Sequence, residues 1–435
     1  MCTYITFGNY NKLYKYIWLY IIIRILEYLL TNNFLKKTIK IDYLQDEPFP
    51  KNILIQKTLN FIGTTIFAMF LWKYELRQNK RSRNNIIPII SSNSKSSSLT
   101  FIYNEQKNNL KVVSTIFFFS IIFLYFLSNQ LICIFNSINL TGLDFWMLEI
   151  IFICFISVNI FKVSIYKHKK VAIFIVLLFS TTLKAISTVY IIIKEKKEKL
   201  YKDYFWIIPI GIISFLLLIF LRGYSYCRLK WLFDLKYISE IKLLLFYGII
   251  SSIICLIGCI ISSNIKCIDE EDFKGITYIC RVSNNNNTYY DHFQKYFKDI
   301  WKDKREIWIN IIYVILLLIK IFLSFLVNLF SLLIIKYLSP EYLICSYYAF
   351  YCIIDLIKLC FEEFDYSNLF EFLAQVLAII GALIYLEFIE LNFCKLNFNL
   401  KKNITKRSLL EINLNSTDYS IMDNDNDNDF ETTHN

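Results

Sequence analysis

Residues 308–336 read WINIIYVILLLIKIFLSFLVNLFSLLIIK, with Lys320 the single charge ahead of the terminal Lys336. An α-helix rises about 1.5 Å per residue, so about 20 residues cross a hydrocarbon core of ~30 Å. This run exceeds that length, and a soluble core has no need of it. The pattern recurs on both sides. Apolar blocks at 16–30, 57–73, 112–136, 145–165, 171–193, 205–221, 242–263, 308–336, 342–360 and 370–391 predict about ten membrane-spanning helices. The expected fold is therefore all-α, a polytopic transmembrane helix bundle in contact with the lipid bilayer.

Whole-chain composition agrees with this reading. Hydrophobic residues make up 56% of the chain and the mean hydropathy is +0.44, both above the norm for soluble proteins. Ile, Asn, Lys, Tyr and Phe are all plentiful, so position carries more information than identity. The net charge of +11 comes from cations in short connectors between apolar blocks, not from one soluble basic face, and no nucleic-acid partner is expected. Met1 to Lys15 is polar and aromatic, and Arg24 and Glu27 interrupt the apolar stretch that follows, so no cleaved signal peptide is expected.

Lys and Arg favour cytoplasmic connectors, which sets the orientation. After the second block come Lys73, Arg77, Lys80, Arg81, Arg83, Lys95, Lys107 and Lys111 against Glu75 and Glu105. Alternation from there places Lys167, Lys169 and Lys170, then Arg222, Arg228, Lys230 and Lys236, then Lys395, Lys401, Lys402, Lys406 and Arg407 on the same side. Both termini are then cytoplasmic. The organisation is a first membrane half over 1–193, a second over 194–392 and a disordered cytoplasmic tail over 393–435. The first half includes a disordered cytoplasmic loop over 74–111, whose Ser/Asn run at 91–98 lacks the apolar content to fold. The second half carries a non-cytoplasmic loop over 264–307.

That loop holds Cys267 and Cys280, which either close a disulfide loop worth roughly 3 kcal/mol or remain two free thiols. Asn286 and Asn139 each begin an Asn-x-Thr glycan acceptor pattern. Residues 289–301 alternate aromatic and charged positions at helical spacing, as in an amphipathic helix lying at the membrane interface.

Ionisable groups inside apolar blocks cost about 2.5–3.5 kcal/mol on insertion scales and are functional candidates by default. Lys184 lies in Ser180-Thr181-Thr182-Leu183-Lys184, the most polar patch of the fifth block. Asp355 and Lys358 lie one turn apart on the ninth, and Lys320 lies in the eighth. Either they line a polar cavity that binds substrate or relays protons, or Lys320 and Lys358 snorkel while Lys358 satisfies Asp355. Arg24 and Glu27 are spaced for a local pair, and interface placement accounts for Glu387 and Glu390. The chain has no phosphate-binding loop, nucleophile elbow or HExxH motif. His168, His292 and His434 form no triad, and the twelve cysteines make no CxxC pair. No metal, no cofactor and no enzymatic activity are expected.

Ten spans divide into five plus five at the 194–204 connector, and the odd number per half inverts one half relative to the other. The segment from Leu143-Asp144-Phe145-Trp146 to Tyr166-Lys167-His168-Lys169-Lys170 looks like a fourth helix, a basic turn and a fifth. With the short turn Lys336-Tyr337-Leu338-Ser339-Pro340-Glu341 and the Cys-bearing loop between spans seven and eight, the layout resembles the drug/metabolite transporter superfamily and its chloroquine-resistance-transporter-like branch. The resemblance implies two inverted five-helix repeats and alternating-access transport of a small organic solute or metabolite. Its central cavity would hold Lys184 and Asp355 as substrate-binding residues. The alternative is a non-transporting scaffold or receptor-like bundle that binds partners through its cytoplasmic loop and tail.

Overall fold

The computed structural model describes residues 5–7, 14–30, 53–86, 120, 122–123, 148–159, 166–194, 207–236, 239–264, 307–361, 366–391, 400 and 403. Nearly all of these are helical. In chain order the elements are β1 (Ile5–Phe7), α1 (Lys15–Leu29), α2 (Ile53–Ile86), α3 (Glu149–Asn159), α4 (Lys167–Phe174), a π-helical segment (Ile175–Ser180), α5 (Thr181–Lys194), α6 (Ile207–Lys236), α7 (Glu240–Asn264), α8 (Ile307–Tyr337), α9 (Pro340–Phe361), α10 (Tyr366–Tyr385) and β2 (Ile389–Leu391). Among the described residues, five helices are long and apolar enough to cross a membrane: Lys167–Ser187, Glu240–Ile261, Val314–Tyr337, Pro340–Cys360 and Tyr366–Tyr385. The chain is an integral membrane protein by that measure.

The turn between α8 and α9 shows how sequence sets local structure. Tyr337 ends α8, and Pro340 opens α9, where its missing N–H has no intrahelical partner to lose. Lys336 in the last turn of α8 and Glu341 in the first turn of α9 complement the two helix dipoles. The two helices therefore return antiparallel across a two-residue link.

Helices α2 and α7 pack antiparallel. Thr58 of α2 faces Cys259 of α7, while Glu75 at the other end of α2 accepts a 2.9 Å hydrogen bond from Ser239 just before α7. In parallel fashion, α1 follows α9, with Tyr14 near Tyr342 and the Arg24 guanidinium over the Phe350 ring. β1 pairs antiparallel with β2 in the register Ile5↔Leu391 and Phe7↔Ile389. The chain entering α1 thus meets the chain leaving α10 at one end of the bundle. Lys167, Lys170, Lys73 and Arg77 are exposed at that same end.

The helical expectation holds, with one addition: β1 and β2 form a two-stranded ribbon. The structure corrects two expectations. The segment 74–86, expected as the start of a disordered loop, continues α2 to Ile86. The sixth helix does not stop at 221 but runs to Lys236, so Arg222, Arg228, Lys230 and Lys236 belong to a helix and not to a connector. The reason is pairing and burial: Glu149 of α3 takes Arg222, Asp234 one turn on takes Lys230, and Leu229, Leu232 and Phe233 go into the core. Pro209 is the third residue of α6, where a missing N–H has no intrahelical acceptor to lose.

Small residues bring helices close. A Cβ at Gly63 of α2 would lie 2.0 Å from Ile321 Cγ2 of α8, and one at Gly248 of α7 would lie 2.6 Å from Thr65 Oγ1. On α10, Ala374, Ala378 and Ala382 repeat every four residues and are fully buried. The outward faces are apolar, as Ile253, Ile257 and Ile260 of α7 and Ile315 and Leu318 of α8 illustrate. Such faces suit lipid.

Candidate functional site

The polar face of α5 repeats at helical spacing and lies against α10. Ser180 Oγ donates to the Ala374 carbonyl (2.7 Å), Lys184 Nζ donates to Glu371 Oε1 (2.6 Å) and Ser187 Oγ donates to the Ser367 carbonyl (3.1 Å). The contacts descend α5 as they climb α10, so the pair is antiparallel. Ser180, the first residue of this face, is also the last of the π-helical segment Ile175–Ser180, where the backbone widens before α5. Such a widening is rare within helices and is frequent at functional sites.

Four charges gather at the middle of this seam. Asp355 and Lys358 of α9 pair at 3.3 Å. Glu371 and Lys184 lie close enough to Asp355, and Glu371 to Lys358, for the two pairs to interact electrostatically. Helices α5, α9 and α10 therefore contribute one quartet of two ammonium and two carboxylate groups. Lys184 and Asp355 are both buried, at 6% exposure each. Asp355 lies six residues before the end of α9, a depth of about 9 Å at the α-helical rise. Unpaired charges there would be prohibitive, and the two pairs make the quartet neutral.

A second polar line crosses the bundle. Arg222 Nε donates to Glu149 Oε1 (2.5 Å) and its terminal nitrogen to Glu149 Oε2, a bidentate pair joining α6 to α3. The Tyr347 ring of α9 lies under two guanidinium groups, Arg222 at 5.5 Å and Arg24 at 6.0 Å. Arg24 pairs with Glu27 at 2.7 Å, the local contact their spacing predicts. Lys320 is buried and donates to Gln56 Oε1 (3.1 Å). It stays inside the bundle and does not snorkel.

Lys184 and Asp355, named from sequence, thus fall in one cluster. Cys267, Cys280, Asn139 and Asn286 lie outside the described residues. Sequence reasoning did not find Glu371, Glu149, Arg222 or Tyr347. Glu371 left a trace, since 367, 371, 374, 378 and 382 form one stripe on α10 and the charge sits inside it. Glu149 and Arg222 left none, because each looks like an interfacial residue at a block edge. Among the described residues no group of three or more His, Cys, Asp or Glu is placed to hold a metal ion. Cys154, Cys227 and Cys345 are buried and pack as small hydrophobes. No protein-family model matches the chain, and no curated protein matches it.

Proposed function

We propose that the protein is a secondary transporter that moves a small organic solute or metabolite by alternating access, with Lys184 and Asp355 in its binding site. The observation that carries this reading is the neutral quartet Lys184, Glu371, Asp355 and Lys358 where α5, α9 and α10 meet, with Lys184 and Asp355 buried and Glu371 and Lys358 half-buried. Two ion pairs side by side can exchange partners with a polar solute, so that no bare charge is left in an apolar interior. A bundle that serves only as a scaffold has no need of four charges gathered within its helix seams.

The packing supports two inverted repeats. With α4 and α5 counted as the fifth span and α3 as the fourth, α2 packs on α7, α3 on α9 and α5 on α10, each against its counterpart five spans later. The contact of α1 with α9 has its counterpart in the contact of α3 with α6, and both are parallel. An orientation with both termini cytoplasmic belongs to the same reading, since the end that holds the β1–β2 ribbon carries the exposed cations.

The test is uptake of a metabolite library into proteoliposomes, with Asp355→Ala and Lys184→Ala run alongside. Saturable uptake that falls in both variants while they remain folded supports the proposal. Background uptake for every solute with folded protein removes transport and leaves the scaffold reading.

A further inference from the structure

We propose that the charge quartet binds a small zwitterion, an α-amino acid, and that Gln375 supplies the third acceptor for its ammonium group. This names the solute class for the site described above and rests on the quartet being that site. Gln375 follows Glu371 by four residues on α10 and so lies on the same face, one turn nearer the midpoint of the helix. It is 8% exposed, and its Oε1 has no hydrogen-bond partner. Side chains on an α-helix lean toward its N-terminus, which carries this amide toward the level of Glu371. Among the described residues, the other buried side-chain polar atoms without a partner belong to Tyr20 and Arg24 of α1, His168 of α4 and Ser251 of α7. Gln375 alone of these lies on a helix that contributes to the quartet. A buried acceptor without a donor requires an explanation, and an N–H of a ligand in the adjacent site provides one.

Charge selects the class of ligand. Lys184 pairs with Glu371 at 2.6 Å and Lys358 with Asp355 at 3.3 Å, so the quartet is neutral. In an apolar interior it must stay neutral when the pairs open. A solute with one charge leaves an excess charge inside the bundle. An uncharged solute parts the pairs and replaces neither partner. A zwitterion satisfies both demands: its carboxylate takes Lys184 and Lys358, its ammonium takes Asp355 and Glu371, and the net charge remains zero. A primary ammonium has three N–H donors, and two carboxylates leave one of them unmatched. Gln375 Oε1 supplies the missing acceptor.

The experiment follows thermal unfolding of the full chain in detergent, titrated with each neutral α-amino acid in turn. The amino acid that acts most strongly is then compared with its amide, which lacks the carboxylate, and its N-acetyl derivative, which lacks the ammonium. At least one amino acid is expected to raise the midpoint, and both derivatives should bind at least about tenfold more weakly. Gln375→Leu keeps the volume and removes the acceptor. It should weaken the amino acid about tenfold, the effect of one hydrogen bond to a charged group, without lowering the midpoint of the ligand-free protein. Ser251→Ala removes another unpartnered buried group, on a helix that packs against α2 and α8, and should leave the affinity unchanged.

No stabilisation by any amino acid, equal stabilisation by the derivatives, or an unchanged affinity in Gln375→Leu overturns the proposal. Unfolding reads binding and not flux, so the two readings fail separately. An amino acid that stabilises the protein but is not taken up into proteoliposomes removes transport and keeps the binding site. Saturable uptake of other solutes, with no amino acid bound, keeps transport and removes the zwitterion.

Discussion

The α5–α10 and α2–α7 contacts are both antiparallel unions between a helix of the first half and one of the second, yet different chemistry holds them. The α5–α10 seam carries Ser180, Lys184 and Ser187 against two carbonyls and a carboxylate of α10. In the α2–α7 seam Phe61 meets Tyr247 edge to face at 5.5 Å, and Gly248 lets the helices close until Thr65 fills the missing side chain's place. Within a membrane both strategies work, because helix association there rests on close packing and interhelical hydrogen bonds, with little hydrophobic drive. They differ in what they permit. Ion pairs can change partners when a polar ligand enters, whereas a glycine contact is geometric and has one closed state. The polar seam suits the place where solute is handled, and the tight seam suits a fixed pivot.

The largest expected effect is on the polar seam. Glu371→Gln removes the partner of a lysine whose side chain is 7% exposed, and breaking a buried pair from one side typically costs about 3–5 kcal/mol. A lowered unfolding midpoint in lipid nanodiscs is expected, together with loss of any uptake. An unchanged midpoint would mean that Lys184 reaches water, and the contrast between the seams would collapse. Next comes Gly248→Ala. Its new Cβ would lie 2.6 Å from Thr65 Oγ1 and 3.1 Å from the Thr65 backbone nitrogen, so rotating a side chain cannot relieve it. Overpacking of this kind costs about 1–3 kcal/mol. A fall in stability without selective loss of transport would mark α2–α7 as scaffold.

A sharper test replaces the pair outright. Lys184→Met/Glu371→Leu exchanges two paired charges for apolar groups of similar volume, and such swaps are commonly neutral or stabilising. Stability within about 1.5 kcal/mol of the parent is expected, with uptake abolished. If the double variant still transports, the ion pair is structural alone and the quartet loses its assigned role.

The membrane class was legible at once, since a run such as 314–337 leaves a single helix-forming solution in lipid. Lys184 and Asp355 were legible as costly groups, because cost follows from depth within an apolar block. Their partners were not. Glu371 is one turn inside α10, where position along the chain does not separate a buried charge from an interfacial one. Only the stripe Ser367, Ala374, Ala378 and Ala382 marks the face it shares. The length of α6 was hidden for a related reason. Arg222 looks like the end of a span until Glu149, 73 residues earlier, is brought beside it, and that pairing is tertiary information. The β1–β2 ribbon joins segments at opposite ends of the chain, and three-residue strands carry too little alternation to be read.

The smallest effect tests the seams at the level of one hydrogen bond. Ser187 is buried and donates at 3.1 Å to the Ser367 carbonyl, a group that already lies in the first turn of α10. Ser187→Ala keeps the small side chain that lets the helices approach and removes the donor alone. Interhelical hydrogen bonds in membranes average about 0.6 kcal/mol, and a carbonyl has a second lone pair for other donors. A midpoint shift near the limit of detection is expected, with uptake intact. A loss approaching that of Glu371→Gln would mean that the three polar contacts act as one cooperative unit, and the stability of the seam could no longer be assigned to its ion pair.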